Sequence, residues 1–169
     1  MPKVSQKLLA AYLEEAAKQA RLSQCQRGHC GAIIVAKDGT IIGRGYNAPP
    51  LDDAANAMCH TDYRTSRKPK SDRTCCVHGE WRAIMDALRH APIKVQGATL
   101  YFTNVDEAGE TTPAGDPYCT VCSRLALDVG LAYFVLFHKD GPEFYPTDEY
   151  NLKSYEFHRA GFPPSPSAW

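Results

Sequence analysis

Two short motifs about forty positions apart, His78-Gly79-Glu80 and Cys119-Thr120-Val121-Cys122, constrain this chain more than anything else in it. Thiols at i and i+3 are neighbours on one face of a helical turn. At the start of a helix they also face unpaired backbone N–H groups, which favour the metal-binding thiolate. His78 and Glu80 are two apart, which on a regular helix turns their side chains about 200° from each other. They share a site only if one of them lies at or before the first turn, where the backbone is not yet helical. An amphipathic run with Trp81, Ile84, Met85 and Leu88 begins right there. The spacing predicts two helix N-termini facing one metal, and a fold that holds them together.

The donor types narrow the metal. Thiolate and neutral imidazole are zinc ligands, four in structural sites and three plus water in catalytic ones. His78, Cys119 and Cys122 make three, leaving the fourth position to water. Two thiolates and one imidazole roughly cancel the dication, while the metal still lowers the pKa of that water. Glu80, beside the metal without ligating it, is placed to take the water's proton and pass it on. A Cys-x-x-Cys pair alone also fits a redox dithiol or half of a structural zinc site. The redox reading wants a thioredoxin-like strand before the pair and no His-x-Glu partner. A structural site would recruit another of the cysteines.

A chain of 169 residues has the length of one domain, with 52–74 as a surface insertion and 162–169 as an irregular tail. Nineteen basic residues against nineteen acidic ones leave no global field for nucleic acid or an anionic membrane. No apolar run approaches the roughly 18 residues that span a bilayer. Met1 to Gln6 lacks the pattern of a signal peptide. Seven cysteines without such a signal point to a reducing compartment, the cytoplasm, with thiols used for metal or buried.

Ser5 to Leu22 reads as a helix with Leu9, Leu13, Ala16 and Ala20 on one face. Residues 31–36 and 41–46 read as a hairpin turning on Asp38-Gly39, stopped by Pro49 and Pro50. From 51 to 74 no period appears. Arg64, Arg67, Lys68, Lys70 and Arg73 there read as solvated loop charge or, for a phosphorylated substrate, as its contacts. Glu80 to His90 is a second helix, 98–102 a buried strand, and 104–116, rich in Gly, Thr, Pro and acids, a loop. Cys119 to Asp128 is a helix stopped by Gly130. The apolar run 131–137 is a strand covered on both faces, and 147–160 a helix ended by Gly161, with no strand visible beyond. The alternation predicts an α/β domain with helices on both sides of a mixed sheet.

His-x-Glu followed by Cys-x-x-Cys resembles the signature of the zinc-dependent nucleobase deaminases. Residues 25–35, with Gly43-Arg44-Gly45-Tyr46-Asn47, resemble the front half of the cytidylate and deoxycytidylate deaminase group, and 78–84 its His-Ala-Glu helix. The resemblance runs from about residue 5 to 137. It implies a cytidine-deaminase-like three-layer α/β/α fold on a central mixed sheet of about five strands, and a homo-oligomer. It also implies that Gly79 lends backbone near the base, and that Asn47, equally a turn residue on its own showing, contacts substrate. Some relatives carry a second, structural zinc near the insertion. Cys25, Cys59, His60, Cys75 and Cys76 are the candidates here, scattered thiols being the alternative.

Three departures bear on the substrate rather than the reaction. Gly79 replaces the usual alanine, which would loosen the turn; Tyr118 separates Pro117 from Cys119, where the family places proline directly before the first cysteine; and 104–116 is long. The expected activity is hydrolytic deamination of an amino-bearing nucleobase, first a free cytosine nucleotide, with Glu80 as proton shuttle. Guanine or a free nucleoside is the alternative substrate. Neutral charge and the lack of a basic, aromatic groove argue against nucleic acid as a partner, and no membrane partner is expected. The competing class is a non-catalytic zinc module, told apart by metal-dependent ammonia release.

Overall fold

A computed structural model of the chain describes residues 4–58 and 75–159. Helix α1 (Gln6–Ala20) opens at Ser5, whose hydroxyl accepts the Leu8 amide at 3.3 Å. Strands β1 (His29–Val35) and β2 (Ile41–Tyr46) form the expected hairpin. In its turn Gly39 takes a φ of 84° and the Asp38 carboxylate accepts the Thr40 amide at 2.9 Å. Then come α2 (Gly79–His90), β3 (Thr99–Val105), β4 (Thr111–Thr112), α3 (Thr120–Asp128), β5 (Tyr133–His138), β6 (Gly141–Pro146) and α4 (Thr147–Arg159).

The sheet is mixed, in the order β2-β1-β3-β5-β6, with β4 added beside β3. Only β3 and β5 run parallel. Its continuous path has the five strands expected, and the short β4 makes six among the described residues. The last strand of the continuous path is β6, which no sequence pattern marks. Pro142 and Pro146 argue against a strand, yet both are tolerated because β6 lies at the sheet edge. Residues 104–116 are likewise not all loop. Asn104 and Val105 extend β3 to meet β4 around a turn where the Asp106 carboxylate accepts the Ala108 and Glu110 amides, each at 2.9 Å.

Strand alternation builds two cores. Ala32, Ile34, Leu100, Phe102, Phe134 and Leu136 face the side covered by α2, α3 and α4. Ile33, Val35, Tyr101 and Val135 face α1. The central strands are thus apolar on both sides, as the run at 131–137 requires, and helices cover the sheet in three layers, as expected.

Helix α2 sits closer to the sheet than a helix with large side chains could. A Cβ on Gly45 would overlap the Gly79 carbonyl oxygen and the Ala83 amide nitrogen, and one on Gly43 the Ala83 carbonyl. The buried face of α2 is accordingly small: Gly79, Glu80, Ala83, Ile84 and Ala87. Met85 and Leu88, read from spacing as core, are 47% and 41% exposed. The close approach sets Gly79, Ala83 and Ala87 against β2, with Ile84 buried in the core and Met85 and Leu88 outward. Helix α3 ends as expected, with Gly130 at a φ of 79° and the Leu131 amide bonded to the Ala126 carbonyl at 3.0 Å. Its Ser123 hydroxyl donates to Asn151 Oδ1 of α4 at 2.8 Å, and Tyr150 of α4 stacks on Phe134, centroids 3.9 Å apart. No described helix is long and apolar enough to cross a membrane.

Candidate zinc centre and substrate pocket

His78 is the N-cap of α2 and Cys119 the N-cap of α3, both with extended backbone. Glu80 is the second residue of α2, so the non-helical step at His78 lets the two side chains approach one site. His78 Nδ1 lies 3.1 Å from Cys122 Sγ and 3.4 Å from Cys119 Sγ, and the two sulfurs are 3.1 Å apart. Among the described residues this is the one group of three potential metal donors within 4.8 Å of one another. Bond lengths of about 2.3 Å to sulfur and 2.0–2.1 Å to nitrogen would set tetrahedral donors about 3.5–3.8 Å apart. The trio therefore takes a zinc ion with a small outward shift.

The electrostatics suit a cation. Contact with the Cys122 thiol, against burial and helped by His78, brings the Cys119 thiol down to about 4. Burial works against the His78 imidazolium, but Cys119 and the Glu80 carboxylate outweigh it and lift it to about 9. Burial pushes the Cys122 thiol well up. A dication bound to the three would displace their protons. Burial also raises the Glu80 carboxyl, with His78 pulling the other way. Glu80 is only 6% exposed and stands beside the donor trio, within reach of a proton in the site.

A pocket opens beside the trio, lined among others by Cys30, Asn47, Gly79, Glu80, Phe102 and Tyr118. Asn47 serves two ends. Its Oδ1 accepts from the Cys30 amide at 2.8 Å and the Ser23 hydroxyl at 2.6 Å, while its Nδ2 donates to the Gly28 carbonyl at 2.8 Å. It ends β2 as a turn residue would, and it still reaches the pocket wall. Gly79 is buried, and a Cβ there would stand 3.2 Å from the Cys30 carbonyl and 3.3 Å from that of Gly45. The turn is snug rather than loose.

Sequence reasoning missed Arg82, one turn after the site. Its guanidinium donates to Asp52 and to the Pro49 carbonyl, both at 2.8 Å, and lies 5.3 Å from the centre of the Tyr46 ring. It holds a bend in which Leu51 and Asp52 both take positive φ, 61° and 57°. No sequence signal marks it, because carbonyl partners leave no trace in residue type. Phe102 was readable only as a strand residue, and Cys30 only as part of the stretch 25–35 that resembles the family. Cys59, His60 and the cations of the insertion lie outside the described residues.

The family described as the cytidine and deoxycytidylate deaminase zinc-binding region matches residues 5–137. The chain is a member of the cytidine and deoxycytidylate deaminase family. Its relatives include the deoxycytidylate deaminase of Mycobacterium phage D29, 31% identical over 126 residues, covering 71% of this chain and 86% of that one. The fold matches that of the dCMP deaminase of cyanophage S-TIM5, solved in complex with dCMP and dUMP, at a TM-score of 0.56 and 22% identity over 78% of this chain and 81% of that one. A cytidine deaminase from Burkholderia pseudomallei matches at a TM-score of 0.57 and 16% identity, covering 87% and 96%. In this deaminase, then, the cluster of His78, Cys119 and Cys122 lies within the family's zinc-binding region.

Proposed function

We propose that this deaminase hydrolyses the exocyclic amine of a free cytosine nucleotide of the dCMP type. The observation that carries this is the buried Glu80 carboxyl beside a His-Cys-Cys donor set at the wall of a pocket. Identity to a phage deoxycytidylate deaminase supports the choice of base and of nucleotide. His78, Cys119 and Cys122 would hold zinc, which when bound lowers the pKa of a water and so supplies the nucleophile. Glu80 takes a proton from that water and delivers it to the ring nitrogen next to the amine-bearing carbon; the proton left on the added hydroxyl then passes through Glu80 to the amine, which departs as ammonia. Gly79 offers its backbone to the base, and Asn47 contacts the substrate from the end of β2.

Ammonia release from dCMP by zinc-loaded protein, set beside cytidine, cytosine, guanine and their nucleotides, tests the reading. Release from guanine alone, or none from any substrate, rejects it. Glu80→Gln keeps the side-chain shape, so it retains zinc and loses activity by a factor of about 10²–10⁴. His78→Ala loses the metal. If Glu80→Gln sheds zinc as His78→Ala does, Glu80 is a ligand and the shuttle is another group.

A second zinc would draw on Cys25, Cys75 and Cys76, which line the same pocket, together with Cys59 or His60; the sulfurs of Cys75 and Cys76 are 3.9 Å apart. Metal analysis decides, two zincs per chain supporting it and one rejecting it. Native mass measurement tests the homo-oligomer in the same sample.

A further inference from the structure

One pocket residue has no part in either the metal cage or the proton relay. Tyr118 directly precedes Cys119, the N-cap of α3, at the position where the chain departs from a proline–cysteine pair. It lines the pocket with Gly79, Glu80 and Phe102, yet it is 46% exposed and belongs to neither core. Its ring is held from α4, where Phe157 packs against it with centroids 6.0 Å apart and planes at 52°. Phe157 does not line the pocket, so it braces the ring without facing the substrate. Helix α4 is itself fixed to α3 through Ser123 and Asn151. It starts at Thr147, beyond residue 137, where the family match ends. The brace is therefore built from a part of the chain that the family's zinc-binding region does not include.

A half-exposed aromatic ring costs apolar exposure to water until something flat covers it. A proline at this position would fix the backbone but offer no such surface. We propose that Tyr118 contacts the substrate, its ring packing on the heterocycle beside the Gly79–Glu80 turn, with Phe157 as the positioning residue behind it. This rests on the cytosine-nucleotide reading above. Packing of a base on an aromatic ring is worth about 1–3 kcal/mol by alanine substitution, so losing it raises KM about 5- to 150-fold.

The test is steady-state kinetics on dCMP with zinc measured per chain. Tyr118→Phe keeps KM within about twofold, whereas Tyr118→Ala raises it in the range above while kcat moves less. Phe157→Ala, remote from the ligands, raises KM by a smaller factor and keeps zinc. Wild-type KM in Tyr118→Ala or in Phe157→Ala overturns the proposal. So does Tyr118→Phe failing as badly as Tyr118→Ala, which would put the contact on the hydroxyl. If Tyr118→Ala sheds zinc, Phe157→Ala alone decides. A wild-type enzyme inert on every cytosine nucleotide overturns the underlying reading and this proposal with it; an active wild type with indifferent variants overturns this one alone.

Discussion

The helix that carries His78 and Glu80 meets the sheet backbone to backbone, whereas the helix that carries Cys119 and Cys122 is held to its neighbour α4 by side chains. On the α2 side, Gly43 and Gly45 of β2 leave no room for a Cβ beneath Gly79 and Ala83. On the α3 side, the tie to α4 is the Ser123–Asn151 hydrogen bond, with the Tyr118–Phe157 ring pair beside the site. Backbone contacts cannot be retuned one residue at a time; side-chain contacts can. The arm holding Glu80 is therefore the fixed one, and the arm with Tyr118 is where this deaminase can differ from its relatives.

Gly45→Ala strikes the fixed arm and carries the largest effect. The new methyl meets main-chain atoms of α2 that cannot rotate away, so destabilisation exceeds the ordinary overpacking range of about 1–3 kcal/mol. Urea unfolding measures it, and a loss below about 1 kcal/mol would mean that α2 slides freely on β2. On the adjustable arm, Ser123→Ala removes the bond to Asn151 Oδ1 and a longer one to the Thr120 carbonyl, costing about 1–3 kcal/mol with zinc retained. Loss of zinc in that variant would show α3 to be as rigidly seated as α2. The smallest effect belongs to Gly79→Ala, on the fixed arm but with neighbours no nearer than 3.2 Å. Reduced freedom of the unfolded chain contributes about 0.4–1 kcal/mol of stabilisation, against tight contacts with two carbonyls, so thermal unfolding shifts little either way. A large loss there would extend the clash zone from β2 to the helix start.

The contrast also explains what the sequence disclosed. The hairpin was readable because Asp38-Gly39 sits between two alternating runs, and turn chemistry leaves its mark in residue type. The trio of donors was readable because metal ligation restricts identity and spacing together. The inward face of α2 was not, since Met85 and Leu88 satisfy the helical period while the glycines that turn them outward lie in another element. Strand β6 was hidden by its prolines, which only its edge position excuses. Arg82 and the Phe157 brace were hidden for a related reason: each acts on a partner far away in sequence, through contacts open to many residue types.

His78 and Cys119 are 41 residues apart in the chain, and that separation has a consequence during synthesis. At about 5–20 residues per second, His78 leaves the ribosome roughly 2–8 s ahead of Cys119. Through that interval an ion would find only one of the three proposed donors, and so would take no part in forming α1, the hairpin or α2. On the proposed ligand set, zinc would be a late fastener rather than a nucleus. A chelator present during translation accordingly spares the first half of the molecule and halts assembly at the docking of α3.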